Sequence, residues 1–384
     1  MKIGFFGGTF APVHNAHINM VKGALTQLNL DKIIVMPSGQ PPHKYSFVDK
    51  NERFKMAQLA FGNIKKVTVS DYEIKSGTKN YSYLTLNHIK ALYPTAEIFF
   101  IMGGDSLRDF PLWKKPEEIA RLATLAVAER GDSFNEDAAF VAEKYGAKVV
   151  FLDIIPLEIS STEIRINYEF DKSNAKYLPQ NVDNYIKEKG LFSKHTQMIK
   201  KVKKLLKPSR FWHTYSVVKA GQEFARANFI DAEDAFVACL LHDCGKNIPI
   251  EKWEYYDFNN EEKLLSPLIH CALGVKGESS FSSLGVKVAQ KDFSITDQKI
   301  LDAIRFHTTG RPGMADLEKL VFVADKAEKT RSYDVSSYYQ LALKNLDEAF
   351  KSVLKDLYGI TVKKYGKNNV DALTVSTMKY YKLV

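Results

Sequence analysis

The sequence predicts an α/β domain built on a doubly wound parallel sheet, followed by an all-α domain. Three observations predict it. In the first half, short β-rich runs alternate with helix-like runs, the pattern of strands joined by crossover helices. From Ile199 onward, helical periodicity continues with almost no strand signal. The chain has 384 residues, 45% of them hydrophobic and 26% charged, which is enough apolar material for two cores.

The strand candidates are Lys2–Phe6, Ile33–Met36, Val67–Ser70, Ile98–Met102, Thr124–Ala128 and Val149–Ile155. Between the first two, Ile18, Val21, Leu25 and Leu28 recur at helical spacing, so this helix is expected to lay one face on the sheet. The pattern changes near Tyr185–Phe192, which puts the boundary near Ser193 and the domains at 1–193 and 194–384. No Gly/Ser/Pro-rich linker marks the junction, so the domains are expected to touch or to be joined stiffly. Ile199, Val202, Leu205 and Leu206 form the apolar stripe of the next helix. Lys200, Lys201, Lys203, Lys204 and Lys207 surround it and read as a solvated face.

Net charge is +9, which suits a polyanionic partner. The motifs below favour nucleotides over nucleic acid, and no RNA-recognition module is present. Cys239, Cys244 and Cys271 are too few and too odd in number for a disulfide framework. They fit a reducing compartment and buried packing. The N-terminus lacks a signal-peptide layout, and no window approaches the roughly 18 apolar residues of a membrane span. The cytoplasm is the expected location. Oligomeric state leaves no mark in the sequence.

Strand Lys2–Phe6 runs into Gly7-Gly8-Thr9-Phe10-Ala11-Pro12-Val13-His14-Asn15-Ala16-His17 and then a helix. A glycine turn lets the backbone approach a phosphate, and the helix start adds free N–H groups and the positive end of its dipole. His14 and His17, three apart, share a helix face and can address one phosphate. Further along, Ser160 and Glu163 in Ile159-Ser160-Ser161-Thr162-Glu163-Ile164-Arg165 have capping-box spacing at another helix start.

These two segments resemble the signatures of the nucleotidylyltransferase superfamily. Three more segments are similar to bacterial nicotinate-nucleotide adenylyltransferases. They are Met36-Pro37-Ser38-Gly39-Gln40-Pro41-Pro42-His43-Lys44, Asn80-Tyr81-Ser82, and Gly103-Gly104-Asp105-Ser106-Leu107 with Phe110-Pro111-Leu112-Trp113. The resemblance covers about residues 1–192. It implies a Rossmann-like fold that moves AMP from ATP to nicotinate mononucleotide, with Mg²⁺ arriving on the ATP. Gly7, Gly8, Thr9, Phe10, His14, His17, Ser160, Ser161, Thr162 and Arg165 would bind ATP, with His14, His17 and Arg165 catalytic. Lys44 and His43 would hold the mononucleotide phosphate, Ser82 the nicotinate carboxylate, and Asp105 the ribose, while Trp113 would stack on the pyridine ring. This reading requires Trp113 and the histidine pair to lie on the same side of the β-layer. The sequence departs from the family at Ala11 (usually Asp), Ala16 (usually Gly), Ser82 (usually Thr) and after Arg130, where a Pro-containing turn is common. Nicotinamide mononucleotide or phosphopantetheine is the alternative acceptor.

The second half carries His213, His242-Asp243, His270, His307 and Asp325 on separate helix-like segments. Imidazole with carboxylate suits Fe, Mn or Zn. Four histidines and two aspartates exceed the needs of one ion, so a metal pair bridged by Asp243 is expected. Adjacent helix residues point about 100° apart, and Gly245 is expected to loosen that turn so that both ligands converge. The surrounding Arg210-Phe211-Trp212-His213-Thr214, Leu240 to Lys246, Arg305 to Pro312 and Ala324-Asp325-Lys326-Ala327-Glu328 resemble the HD phosphohydrolase superfamily, and within it the YqeK-type hydrolases. That resemblance implies a di-iron site cutting diadenosine tetraphosphate symmetrically to two ADP. Lys246 and Arg311 would hold substrate phosphates, and Thr308 and Thr309 would line the site. The segment Gly274–Asp292 is longer than usual for the family and reads as a loop. The alternative for this half is a non-catalytic nucleotide sensor.

Overall fold

A computed structural model describes residues 1–40, 48–77, 79–128, 132–155, 157, 159–257 and 278–384. The chain divides into two compact units, Met1–Ser193 and Lys194–Val384. His43, Lys44, Arg130, His270 and Cys271 lie outside the described residues, as do residues 274–277 of the expected loop.

The first unit is a six-stranded sheet: β1 (Lys2–Gly8), β2 (Lys32–Pro37), β3 (Val67–Val69), β4 (Glu97–Met102), β5 (Thr124–Val127) and β6 (Val149–Phe151). Its order is β3-β2-β1-β4-β5-β6, and every pairing is parallel. All six expected strands form. The last stops at Phe151 rather than Ile155, because as an edge strand it pairs only with β5, and their register ends at Val127↔Phe151. Around the sheet run α1 (Asn15–Gln27), α2 (Lys50–Phe61), α3 (Tyr72–Lys75), α4 (Ser82–Leu92), α5 (Gly104–Asp109), α6 (Pro116–Leu122), α7 (Asp132–Tyr145), α8 (Ser161–Glu169) and α9 (Gln180–Lys189).

Successive strand residues point to opposite faces, and two separate cores result. Phe6, Ile33, Val35, Phe99 and Ile101 pack with Val21 and Ala24 of α1, Met56 and Phe61 of α2, Ile164 of α8 and Val182 of α9. Phe5, Ile34, Met36, Phe100 and Met102 pack on the other face with Leu86 of α4, Leu107 of α5, Ile119 of α6 and Val141 of α7. Each fully buried large apolar side chain contributes roughly 1.5–3 kcal/mol. The chain therefore leaves β1 toward one face and β4, its neighbour, toward the other. That divergence opens a crevice over their carboxyl ends.

The second unit is helical: α10 (Thr196–Leu205), α11 (Pro208–Ala227), α12 (Ala232–Leu241), α13 (Glu278–Phe293), α14 (Gln298–Phe306), α15 (Asp316–Ala327), α16 (Ser336–Lys344), α17 (Leu346–Tyr365) and α18 (Ala372–Tyr380). Ile199 and Val202 of α10 are buried while the five lysines around them are exposed. Every residue of α12 from Ala235 to Leu241 is buried, as expected of a central helix that is apolar all round.

One expectation is corrected here. The described part of Gly274–Asp292 is not a loop, since α13 spans Glu278–Phe293. Leu284, Val288, Ala289 and Phe293 recur at i, i+4, i+5 and i+9 and are buried, a helical stripe that the serines and glycines mask in the sequence. The loosened turn forms: the helix stops at Leu241, residues 242–247 run as turns, and His242 and Asp243 converge. Gly245 also stands at a close approach. A Cβ there would sit 2.6 Å from the backbone N of Gly285 and 2.9 Å from its Cα. We expect Gly245→Ala to push α13 away and to cost about 1–3 kcal/mol of stability, as overpacking does. An unchanged denaturation midpoint for the C-terminal unit would refute this account of the glycine contact.

Candidate functional site

In the N-terminal unit the glycine turn follows β1 at the crevice. Phe10 adopts a left-handed backbone, φ 51°, held by burial of its ring against Phe6, Phe61 and His17. His14 is the residue that starts α1, and its backbone N–H donates to His17 Nδ1 at 3.1 Å. That bond assigns the His17 hydrogen to Nε2. The two rings stack at 3.7 Å. His14 Nδ1 is buried without a hydrogen-bond partner, and burial pushes this imidazole down to about 4.

The second signature docks onto the same turn. Ser160 caps α8, its hydroxyl accepting from the Glu163 N–H at 3.1 Å, as the spacing predicts. Ser161 Oγ donates to the Pro12 carbonyl at 2.9 Å, and Arg165 donates to the Ala11 carbonyl at 2.8 Å and to Thr162 Oγ1 at 3.0 Å. The start of α8, the start of α1 and the glycine turn are thus one assembly. It presents a guanidinium, hydroxyls and helix N-termini, the donor set that suits a polyphosphate.

The acceptor residues are placed differently from the expectation. Trp113 is half-buried against Phe100 and Phe110, each ring centroid 5.7 Å away, on the Phe5 face of the sheet. His17 packs against Phe6 and Phe10 on the opposite face. Trp113 therefore lies across the β-layer from the histidine pair, which corrects the same-side expectation: both faces border the one crevice over the carboxyl ends of β1 and β4, so a shared face is not a condition of the reading. The reason is topological: loops after β1 and β4 leave toward different faces. Ser82 opens α4 on the Trp113 side, where Lys114 and Lys115 lie over the rings of Tyr81 and Tyr83 at 4.6 and 4.5 Å. Asp105 is exposed in the first turn of α5, just past β4. The two residue groups flank the crevice from its two sides.

In the C-terminal unit four helices converge. His213 lies in α11, His242 follows α12, His307 follows α14, and Asp325 lies in α15. His213, His242 and Asp325 bring one ligand atom each within 4.8 Å of the others, and so do His242, Asp243 and His307. His242 and His307 are oriented alike: each Nδ1 bonds the carbonyl three residues back, Cys239 and Ile304, both at 2.7 Å. Each Nε2 is thereby left as the bare acceptor facing the cluster. His242 Nε2 is fully buried and has no hydrogen-bond partner, an orphaned lone pair that a divalent ion would satisfy. Asp243 points Oδ2 toward His242 Nε2 at 3.4 Å and Oδ1 toward His307 Nε2 at 3.6 Å. The donor set fits a hard or borderline cation.

Both aspartates are buried yet held ionised. Burial works against the Asp243 carboxylate, but the Lys246 cation outweighs it and keeps its pKa well below the usual range. Lys246 Nζ lies 3.7 Å from Asp243 Oδ1, and Arg210 donates to Oδ2 at 2.9 Å. Asp325 behaves likewise through Lys326 and Arg331, against the same burial cost. Burial lowers the His307 pKa. For His213 burial is overcome by its bonds to Asp325, 2.9 Å, and Glu328, 3.1 Å, which raise its pKa.

Arg311 is not presented to this cluster. Its guanidinium is committed to Glu318 through two bonds of 2.7 Å and to Asp302 at 3.2 Å. The nearly buried Glu318 carboxylate needs that cation, which overrides the expected phosphate contact. Thr308 and Thr309 are buried, and the Thr309 hydroxyl donates to Gly310 O. Cys239 and Cys244 are buried and free, as packing residues are, and burial raises both thiol pKa values. Sequence reasoning missed Arg53, Arg210, Lys326, Glu328 and Arg331 as functional groups. Arg53 and Lys326 left a signal, a cation set within a helix's apolar positions.

Residues 5–167 match the Cytidylyltransferase-like family and residues 210–330 match the HD domain family. A probable nicotinate-nucleotide adenylyltransferase/Ap4A hydrolase of Mycoplasma genitalium is 31% identical over 369 residues, spanning 94% of this chain and 97% of that one. The chain belongs to the nicotinate-nucleotide adenylyltransferases that carry an HD domain. A probable nicotinate-nucleotide adenylyltransferase of Clostridium tetani, 39% identical, aligns with 50% of this chain and 98% of its own. A solved structure described as a predicted HD superfamily hydrolase involved in NAD metabolism, from Clostridium acetobutylicum, is 28% identical and covers 48% of this chain and 95% of its own, with a TM-score of 0.41. Members of this family are enzymes, and the HD domain implies a divalent metal. No described helix is long and apolar enough to cross a membrane.

The His14 environment carries a pH dependence. A histidine whose folded pKa lies near 4, against 6.5 when exposed, contributes stability that is present above about 6.5 and lost as pH falls through 4. The loss is expected to reach about 3 kcal/mol. His14→Gln is expected to flatten the N-terminal unit's stability over that window; an identical acid slope in the variant would count against the assignment.

Proposed function

We propose that the chain is a bifunctional enzyme. Its first unit transfers AMP from ATP to nicotinate mononucleotide, giving deamido-NAD and pyrophosphate. Its second hydrolyses diadenosine tetraphosphate symmetrically to two ADP. The observation that carries the first reading is the docking of Ser161 and Arg165 onto the Ala11–Pro12 carbonyls beside the stacked His14/His17 pair. The mononucleotide 5′-phosphate attacks the α-phosphorus of Mg²⁺-ATP, and pyrophosphate leaves with the β–γ charge. No protein nucleophile is needed; positioning and charge stabilisation do the work. His17 Nε2–H and the Arg165 guanidinium would donate to phosphate oxygens, and the N-termini of α1 and α8 add their dipoles. Asp105, Ser82 and Trp113 would receive ribose, carboxylate and pyridine ring on the other flank of the crevice, with His43 and Lys44 on the acceptor phosphate.

The second reading is carried by the two oxygens of Asp243 facing different histidines. His213, His242, Asp243 and Asp325 would hold one ion, and Asp243, His307 and His270 a second, iron being the expected metal. Bound metals would supply Lewis acidity and an activated water for the phosphoanhydride bond. Of the chain's own groups, Lys246 and Arg210 are placed to meet substrate phosphate beside the carboxylate they now neutralise.

His17→Ala is expected to lower adenylyl-transfer turnover about 100-fold or more while binding of nicotinate mononucleotide changes little. Unchanged turnover would remove His17 from the mechanism. Anaerobically purified protein should contain close to two metals per chain and release ADP from diadenosine tetraphosphate. Asp243→Asn, or chelation followed by return of Mg²⁺ alone, should abolish ADP release and spare adenylyl transfer. Metal-replete protein that binds the dinucleotide without cleaving it would favour a sensor role instead.

A further inference from the structure

Arg53 is 1% exposed, in a helix whose other buried positions are Met56, Ala57 and Phe61. That spacing is an apolar stripe with a cation at its first position. A buried guanidinium is tolerated only when its N–H groups are satisfied, and here backbone carbonyls from three places satisfy it. Nη1 donates to Thr9 O at 2.9 Å and to Ser38 O at 2.6 Å. Nη2 donates to Gly39 O at 3.1 Å, and Nε to Val48 O at 3.3 Å. Thr9 belongs to the glycine turn after β1, and Ser38 and Gly39 to the turn after β2. Asp49 supplies compensating negative charge, and Glu73, whose burial pushes its pKa up to about 7, supplies part of one more.

The turn after β2 has little freedom of its own. A Cβ on Gly39 would lie 2.1 Å from the Glu73 carbonyl oxygen, and Asn80 Oδ1 accepts from the Gln40 N–H at 2.7 Å. Thr85 in turn donates to Glu73 at 2.6 Å. The planar fork of Arg53 therefore joins a rigid second turn to the turn assigned to ATP. A lysine ammonium has neither the reach nor the fixed fork to hold these four carbonyls together.

We propose that Arg53 is a positioning residue of the adenylyltransferase, setting the separation of the turns after β1 and β2 so that the attacking phosphate and the α-phosphorus align. Arg53 touches neither nucleotide in this role. The inference rests on the assignment of those two turns to donor and acceptor. Misplacement of reacting groups by about 1 Å costs on the order of 100-fold in rate, so the consequence is kinetic.

The test uses full-length Arg53→Lys and Arg53→Gln. Thermal unfolding and circular dichroism report folding, and a single-turnover measurement gives the active fraction. With kcat corrected for that fraction, both variants are expected to lose about 10- to 100-fold in kcat, with smaller rises in KM for ATP and nicotinate mononucleotide. Added guanidinium ion at non-denaturing concentration is expected to restore part of the kcat of Arg53→Gln, and sodium chloride of equal ionic strength to restore none. Folded variants with kcat and both KM values within twofold of the parent would overturn the proposal. So would failure of both variants to fold, which would make Arg53 a determinant of stability alone. A parent chain unable to form deamido-NAD is a separate failure, seen before any variant is compared, and it would remove the activity and this inference together.

Discussion

The N-terminal site depends on one topological constraint. β1 and β4 lie side by side and parallel, yet their continuations leave toward opposite faces of the sheet. Their carboxyl ends therefore cannot be covered by a single connection, and a crevice remains there. The helices that start beside it turn the positive ends of their dipoles toward it. Polar groups gather on either flank: the stacked histidines and the α8 assembly on the Phe6 side, Ser82, Asp105 and Trp113 on the Phe5 side. Two nucleotides brought to one edge from two faces can meet end to end, the geometry an in-line attack requires.

The C-terminal unit answers a different constraint, the cost of burying charge. Asp243 and Asp325 sit among four helices at 4% and 5% exposure, where an unpaired carboxylate would be protonated. Arg210, Lys246, Lys326 and Arg331 prevent that. Lys326 is itself buried, donating to Asp325 at 2.6 Å and to the His307 carbonyl at 2.7 Å, and so links two of the converging elements. Glu328 holds His213 from behind as the Cys239 and Ile304 carbonyls hold His242 and His307. These second contacts fix the ring orientations within the cluster.

Much of this was legible in the sequence, and the exceptions share a cause. Strands, the α8 cap and the buried stripe of α10 rest on local periodicity, which the chain carries in its own order. The helix over Glu278–Phe293 was hidden because its serines and glycines dilute the apolar period, and Gly285 makes sense only with Gly245 against it. Arg311 looked available because its sequence neighbours are threonines and glycine; Glu318, seven residues on, claims it once the helices pack. Trp113 looked like a companion of His14 and His17 because each lies just past the carboxyl end of a strand. Which face each loop takes is a property of strand order.

The amino-acid order by itself determined the alternation of strands and helices, the change of architecture near residue 193, and the ligand types gathered in the second half. Side-chain chemistry and local backbone preference are enough for those. Only the tertiary structure decided that the residues expected to meet nucleotide straddle the sheet, that Arg53 spans two turns, and that Arg210 rather than Arg311 meets the buried aspartate. Those outcomes depend on which segments, distant in the chain, compete for the same carbonyl or carboxylate, and that competition is settled by packing.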